Sequence, residues 1–95
     1  MSINTDEFWN FIGSWFPDAD LEGVSDDQHV VRNFLDTKNA RKIEQVRCGC
    51  DEMLALPKLP MDRIMAEANR HFETETQCRE WLLMCQSTLS ESTSD

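Results

Sequence analysis

The chain has 95 residues, with 18 Asp and Glu against nine Lys and Arg for a formal net charge of −9, and its aromatics are five Phe and three Trp with no Tyr. That length supports one domain, because a second core of independent stability would need more chain than the first leaves over. The acidity repels nucleic acid and anionic lipid and attracts basic proteins. The apolar stretches run only a few residues and the first seven residues are polar and acidic, so neither a membrane span nor a signal peptide is expected. The simplest compartment is the cytoplasm, where four cysteines stay reduced.

Helical periodicity accounts for nearly every apolar residue and predicts an all-α fold, a compact bundle of about five amphipathic helices. In the first segment Phe8, Phe11, Ile12, Trp15 and Phe16 fall at i, i+3, i+4, i+7 and i+8. Asn4 with Glu7 reads as a capping box, and Pro17 is expected to end the helix. A polar turn over residues 18–24, containing Gly23, precedes a second capping-box pattern, Ser25 with Gln28. The helix it opens carries Val30, Val31, Phe34 and Leu35, places Asp26 and Asp27 in its first turn, and stops near Thr37.

The third and longest helix is expected over residues 39–56, with Ile43, Val46, Cys50, Met53 and Leu54 on one side. Gly49 weakens it by about 1 kcal/mol relative to Ala without breaking it. Pro57 and Pro60 bracket a short connection to a fourth helix carrying Met61, Ile64, Met65 and Ala68, with Phe72 closing that face. A fifth helix follows Thr76 as N-cap, with Cys78, Trp81, Leu82, Cys85 and Leu89 in helical register. Residues 1–89 are thus expected to form the domain, and residues 90–95, all Ser, Thr or acid, a disordered tail.

The spacing of Asp18, Asp20, Glu22 and Gly23 resembles the start of a calcium loop, but the twelfth position is His29 where such a loop needs a bidentate carboxylate. These acids read instead as an exposed anionic ridge. Cys48 and Cys50 would stand about 200° apart on a helix and cannot jointly hold zinc. Cys78 and Cys85 share an apolar face and read as core, and His29 and His71 have no ligand spacing around them. The three glycines are isolated, with neither a nucleophile elbow nor a phosphate loop. No catalytic, metal or cofactor residue is assigned, and enzymatic activity is not expected.

The charge is unevenly placed. Residues 1–36 carry eight acids and one base, a net of −7, whereas residues 37–58 carry five bases and three acids. Trp9 falls off the apolar stripe of its helix with acids around it in sequence, as an aromatic anchor in a protein interface would. The candidate partner-binding residues are therefore Trp9, Asp18, Asp20, Glu22, Asp26 and Asp27. The basic stripe Lys38, Arg41, Lys42 and Arg47 is expected to answer the acidic helices within the molecule.

Several blocks, taken in order, also carry a family resemblance. They are residues 8–16 (FWNFIGSWF), the acidic segment 18–22, Val31-Arg32-Asn33-Phe34-Leu35, Glu52-Met53-Leu54-Ala55-Leu56 and Arg79-Glu80-Trp81-Leu82. Together, over residues 8–89, they resemble the small helical immunity proteins of bacterial contact-dependent growth inhibition systems. The resemblance implies a cytoplasmic protein that neutralises, in a 1:1 complex, the C-terminal toxin domain of a neighbouring cell's effector, commonly a nuclease. The Cys48-Gly49-Cys50 segment and the short region before Arg79 depart from that pattern. Two other readings fit the same acidity: an adaptor that recruits a basic protein without inhibiting it, and a mimic of nucleic acid.

Overall fold

A computed structural model of the chain describes residues 3–24 and 26–91. Five helices follow one another: α1 (Ile3–Glu22), α2 (Asp27–Leu35), α3 (Ala40–Leu54), α4 (Met61–Ala68) and α5 (Glu75–Ser90). Among the described residues there is no strand, so the fold is the all-α bundle that the periodicity predicts. α1 lies against α3, α4 and α2, while α5 packs on α3 and also meets α2. The α-carbon radius of gyration is 12.4 Å, equal to the roughly 12 Å of a compact chain of this length.

The core is one cluster to which every helix contributes, and its largest fully buried side chains include Phe8, Phe16, Ile12, Ile64, Leu82 and Leu89. Aromatic contacts run through it as a chain. Phe11 meets Phe16 and Phe34, Trp15 meets Phe34, and Phe16 meets Trp81, which in turn meets Phe72. Centroid separations of 4.7–5.6 Å and tilted or edge-on planes place these rings in the favoured geometry for aromatic pairs. Phe72 thus packs on Trp81 of α5, and its amide donates to Met65 Sδ of α4 at 3.2 Å.

Helix ends account for most departures from the sequence reading. Pro17 does not end α1; it lies inside the helix. Its ring lacks the N–H that would reach the Gly13 carbonyl, a local loss that burial of Phe16 and Ala19 on either side of it outweighs. The helix stops one and a half turns later at Gly23, whose φ of 82° suits a residue without Cβ. There the Val24 amide donates to the Ala19 carbonyl at 2.9 Å and the Gly23 amide to that of Asp20 at 3.3 Å, the paired bonds of a Schellman cap. Asn4 sits within α1 and not at its N-cap.

Asp26, not Ser25, caps α2, its carboxylate accepting from the Gln28 amide at 3.0 Å; Ser25 itself lies outside the described residues. α3 begins at Ala40 behind an Asn39 cap, one residue later than expected, and ends at Leu54, two residues earlier. The N-cap of α5 is Thr74, two residues before the expected Thr76; it accepts from the Gln77 amide at 3.2 Å, while the Gln77 side chain accepts from the Glu73 amide at 2.7 Å. At the other end, α5 extends through Ser90 with Glu91 as its C-cap, into the expected tail, and residues 92–95 of that tail lie outside the described residues.

Candidate partner-binding surface

The acids of α1 and α2 divide into those consumed by folding and those left over. The division is made by Arg70, which follows the left-handed Asn69 at the end of α4 and whose amide closes that helix onto the Met65 carbonyl at 3.0 Å. This cap aims the guanidinium between α1 and α2. Arg70 Nε and Nη2 donate to Asp27 at 2.7–3.0 Å, and Nη1 donates to Asp20 at 2.8 Å. Asn69 Nδ2 also donates to Asp20 at 2.8 Å, and the Trp81 indole N–H donates to Asp27 Oδ2 at 2.7 Å. The Arg70 side chain is only 16% exposed, and its guanidinium lies 5.4 Å from the Phe16 ring centroid. The hydrogen bonds from Arg70 and Asn69 hold the Asp20 carboxyl below the usual carboxylate range.

Asp18 and Glu22 face the other way. Both are exposed, and no cation or hydrogen-bond donor meets either among the described residues. They stand one turn apart at the rim of a groove between α1 and α2 that encloses about 170 Å³ and is lined by Ser14, Trp15, Ala19, Val24, Val30 and Asn33 as well. Ala19 and Val30 are buried and form its floor, and the half-buried Trp15 forms a wall. The Schellman cap of α1 sets Val24 back against Ala19 and so closes one end. Leu21, next to Asp18 on the α1 surface, is 88% exposed.

The chain matches no family model, no curated protein and no solved structure. The site is accordingly read from its own residues. Of the six candidates, the groove brings together Asp18 and Glu22; Asp26 is a helix cap, Asp20 and Asp27 are held by Arg70, and Trp9 lies elsewhere. Trp9 is half-buried on α1, edge-on to Phe8 at 5.1 Å, with the Arg63 guanidinium of α4 3.9 Å from its ring centroid. It is a cation–π contact between helices rather than an uncovered anchor.

The basic stripe is also distributed otherwise than expected. Arg47 pairs with Glu44 and Asp51 of its own helix, not with the acidic helices, and Lys38, Arg41 and Lys42 are exposed without an acidic partner among the described residues. The acids Asp20 of α1 and Asp27 of α2 are answered by Arg70 instead. Arg79, besides pairing with Glu75, donates to the Leu54 and Leu56 carbonyls at 3.1 and 2.8 Å and so caps the end of α3.

The would-be calcium segment is not a loop, since Asp18, Asp20 and Glu22 all belong to α1. Cys50, Cys78 and Cys85 are buried and Cys48 half-buried on the other side of α3. Burial pushes the Cys50 thiol up to about 12 and the Cys78 thiol to about 11, and raises that of Cys85 well above its ordinary value. Cys48 is raised as well, first by burial and then by the Glu44 carboxylate beside it. These thiols behave as apolar side chains at neutral pH. No helix among the described residues is long and apolar enough to cross a membrane.

Proposed function

We propose that the protein is a stoichiometric inhibitor: an immunity protein of the contact-dependent growth inhibition kind that binds its cognate C-terminal toxin domain, one to one in the cytoplasm, through its acidic surface. The observation that carries the reading is where charge remains after folding. Arg47, Arg70 and Arg79 are bound to acids of the chain itself and Arg63 lies on Trp9, while Lys38, Arg41 and Lys42, at and just before the start of α3, stay exposed. Asp18 and Glu22, beside the groove that Trp15 walls, have no such partner among the described residues. A nuclease toxin carries a basic site because it must hold phosphate, and an acidic inhibitor can occupy the same field.

The residues that carry the resemblance are those of the scaffold. In Arg79-Glu80-Trp81-Leu82, Arg79 caps α3, Trp81 binds Asp27, and Leu82 is fully buried; in residues 8–16, Phe8, Phe11, Ile12 and Phe16 are core. These blocks maintain a scaffold and carry no information about which toxin is bound.

The test is to co-express the toxin domain encoded immediately upstream of this gene, with and without the protein, and to pass the pair over a sizing column. Growth arrest that the protein relieves, with 1:1 co-elution, is the expected result. A harmless neighbour, or relief without a complex, rejects the inhibitor reading.

A further inference from the structure

The groove between α1 and α2 joins an aromatic wall to two carboxylates that no cation among the described residues neutralises. Trp15 is braced edge-on by Phe34, with ring centroids 5.4 Å apart, so the wall is fixed before anything binds. Asp18 and Glu22 project from the same helix at i and i+4, which puts both on the groove side. Asp20, two residues from each, is turned away onto Arg70. Leu21, by far the most exposed large apolar side chain of the described residues, adjoins Asp18.

A volume of about 170 Å³ is well below the roughly 300–1,000 Å³ of small-molecule pockets, and negative charge at the rim excludes a phosphate-bearing ligand. Both features suit a single cationic side chain delivered by a protein. Arginine fits better than lysine, since its planar guanidinium can stack on an indole while pairing with two carboxylates. We infer that this groove receives an arginine-bearing segment of a protein partner, with the guanidinium lying along Trp15 between Asp18 and Glu22 and an apolar neighbour of that arginine covering Leu21. The inference locates the binding surface of the inhibitor proposed above and rests on that reading for the identity of the partner.

The chemistry can be tested without any toxin. The probe is a blocked synthetic pentapeptide, Gly-Leu-Arg-Leu-Gly, titrated into the ¹⁵N-labelled protein beside a twin in which citrulline, neutral and of the same shape, replaces arginine. Saturable shifts of the Trp15 indole N–H and of the Ser14, Asp18 and Glu22 amides are expected with the arginine peptide alone. Asp18→Lys with Glu22→Lys should weaken binding at least about tenfold, as should the milder pair Asp18→Asn with Glu22→Gln. Glu73→Lys with Glu80→Lys, an equal change of charge at exposed positions elsewhere, should leave binding within about twofold.

Equal binding of the citrulline twin, an equal loss in the Glu73 and Glu80 pair, retention in both groove pairs, or no saturable shift at millimolar peptide would each overturn the inference. A toxin neutralised equally well by the Asp18→Lys, Glu22→Lys variant would reject the groove and leave the inhibitor reading standing. Peptide binding at Trp15 without toxin rescue by the unmodified protein would do the reverse.

Discussion

Arg70 joins four parts of the chain, since its partners Asp20 and Asp27 open the way to α1 and α2 and Asp27 also receives Trp81 of α5. Nothing in the spacing of the sequence singles it out, because Asp27 lies 43 residues from Arg70 and 54 from Trp81, and no helical or turn periodicity links positions so far apart. Removing one member of a nearly buried ion pair leaves the other uncompensated. Arg70→Met should therefore cost about 2–4 kcal/mol by urea unfolding, and Arg70→Lys should recover little of it, since an ammonium cannot make the forked contact. Asp27→Asn, which keeps an oxygen for the Trp81 indole, should be milder than Asp27→Leu. If Arg70→Met unfolds at the same urea concentration as the parent protein, the contact is only a surface pair. The pairing with Asp20 also predicts an acid limit: its contribution is present above the ordinary carboxylate pKa of about 3.9 and is lost as pH falls through the depressed folded value.

Buried thiols set the opposite limit. Cys50, raised from 9.0 to about 12 by burial, is neutral in both folded and unfolded chains below pH 9. Above that the unfolded thiol ionises while the folded one does not, so stability present below pH 9 falls as pH rises toward 12. The slope is about 1.4 kcal/mol per pH unit for each such thiol. Cys50→Ala should lower stability at pH 7 by leaving a cavity and should also flatten the decline between pH 9 and 11, as read by denaturant midpoints at each pH. An unchanged slope would mean that Cys50 ionises in the folded protein.

At the scale of the helix, the number, order and buried faces are legible in the sequence, because these depend on a 3.6-residue period spread over many side chains. Ends depend on single residues and on what packs beyond them. Pro17 is a stop signal by local rules, yet Phe16 and Ala19 are core residues of one continuous helix. Pro17→Ala should restore a donor to the Gly13 carbonyl and stabilise the fold by about 1–2 kcal/mol, the helical gain being partly offset by a freer unfolded chain. For a domain of this size that is a melting temperature higher by about 4–8 °C for each kcal/mol. A lower melting temperature would show that the proline ring itself is needed in the packing. For α5, Thr74 and Thr76 are equally good caps by residue type, and the Gln77 side chain decides between them by closing onto the Glu73 amide. Thr74→Ala should cost about 1 kcal/mol and Thr76→Ala almost nothing, a difference readable in paired thermal melts.

At the scale of the whole molecule, the sequence revealed an acid excess but not which acids remain available. The net of −7 over residues 1–36 counts Asp20 and Asp27 with Asp18 and Glu22, and only the fold separates them, by bringing Arg70 to one pair and leaving the other beside Trp15. The separation bears on kinetics, because long-range steering responds to the whole field whereas dissociation responds to the groove. With the toxin domain as ligand, raising the salt from about 0.02 to 0.5 M shortens the screening length from roughly 20 to 4 Å and should slow association about tenfold or more. Dissociation should change much less. Glu73→Lys with Glu80→Lys should reduce the association rate and its salt slope and leave dissociation unchanged, whereas Asp18→Lys with Glu22→Lys should do both and also speed dissociation. Stopped-flow mixing at several salt concentrations separates the two effects. An association rate indifferent to salt would remove electrostatic steering from the account, and equal dissociation rates in the two variants would mean that the acids at the groove attract the partner without holding it.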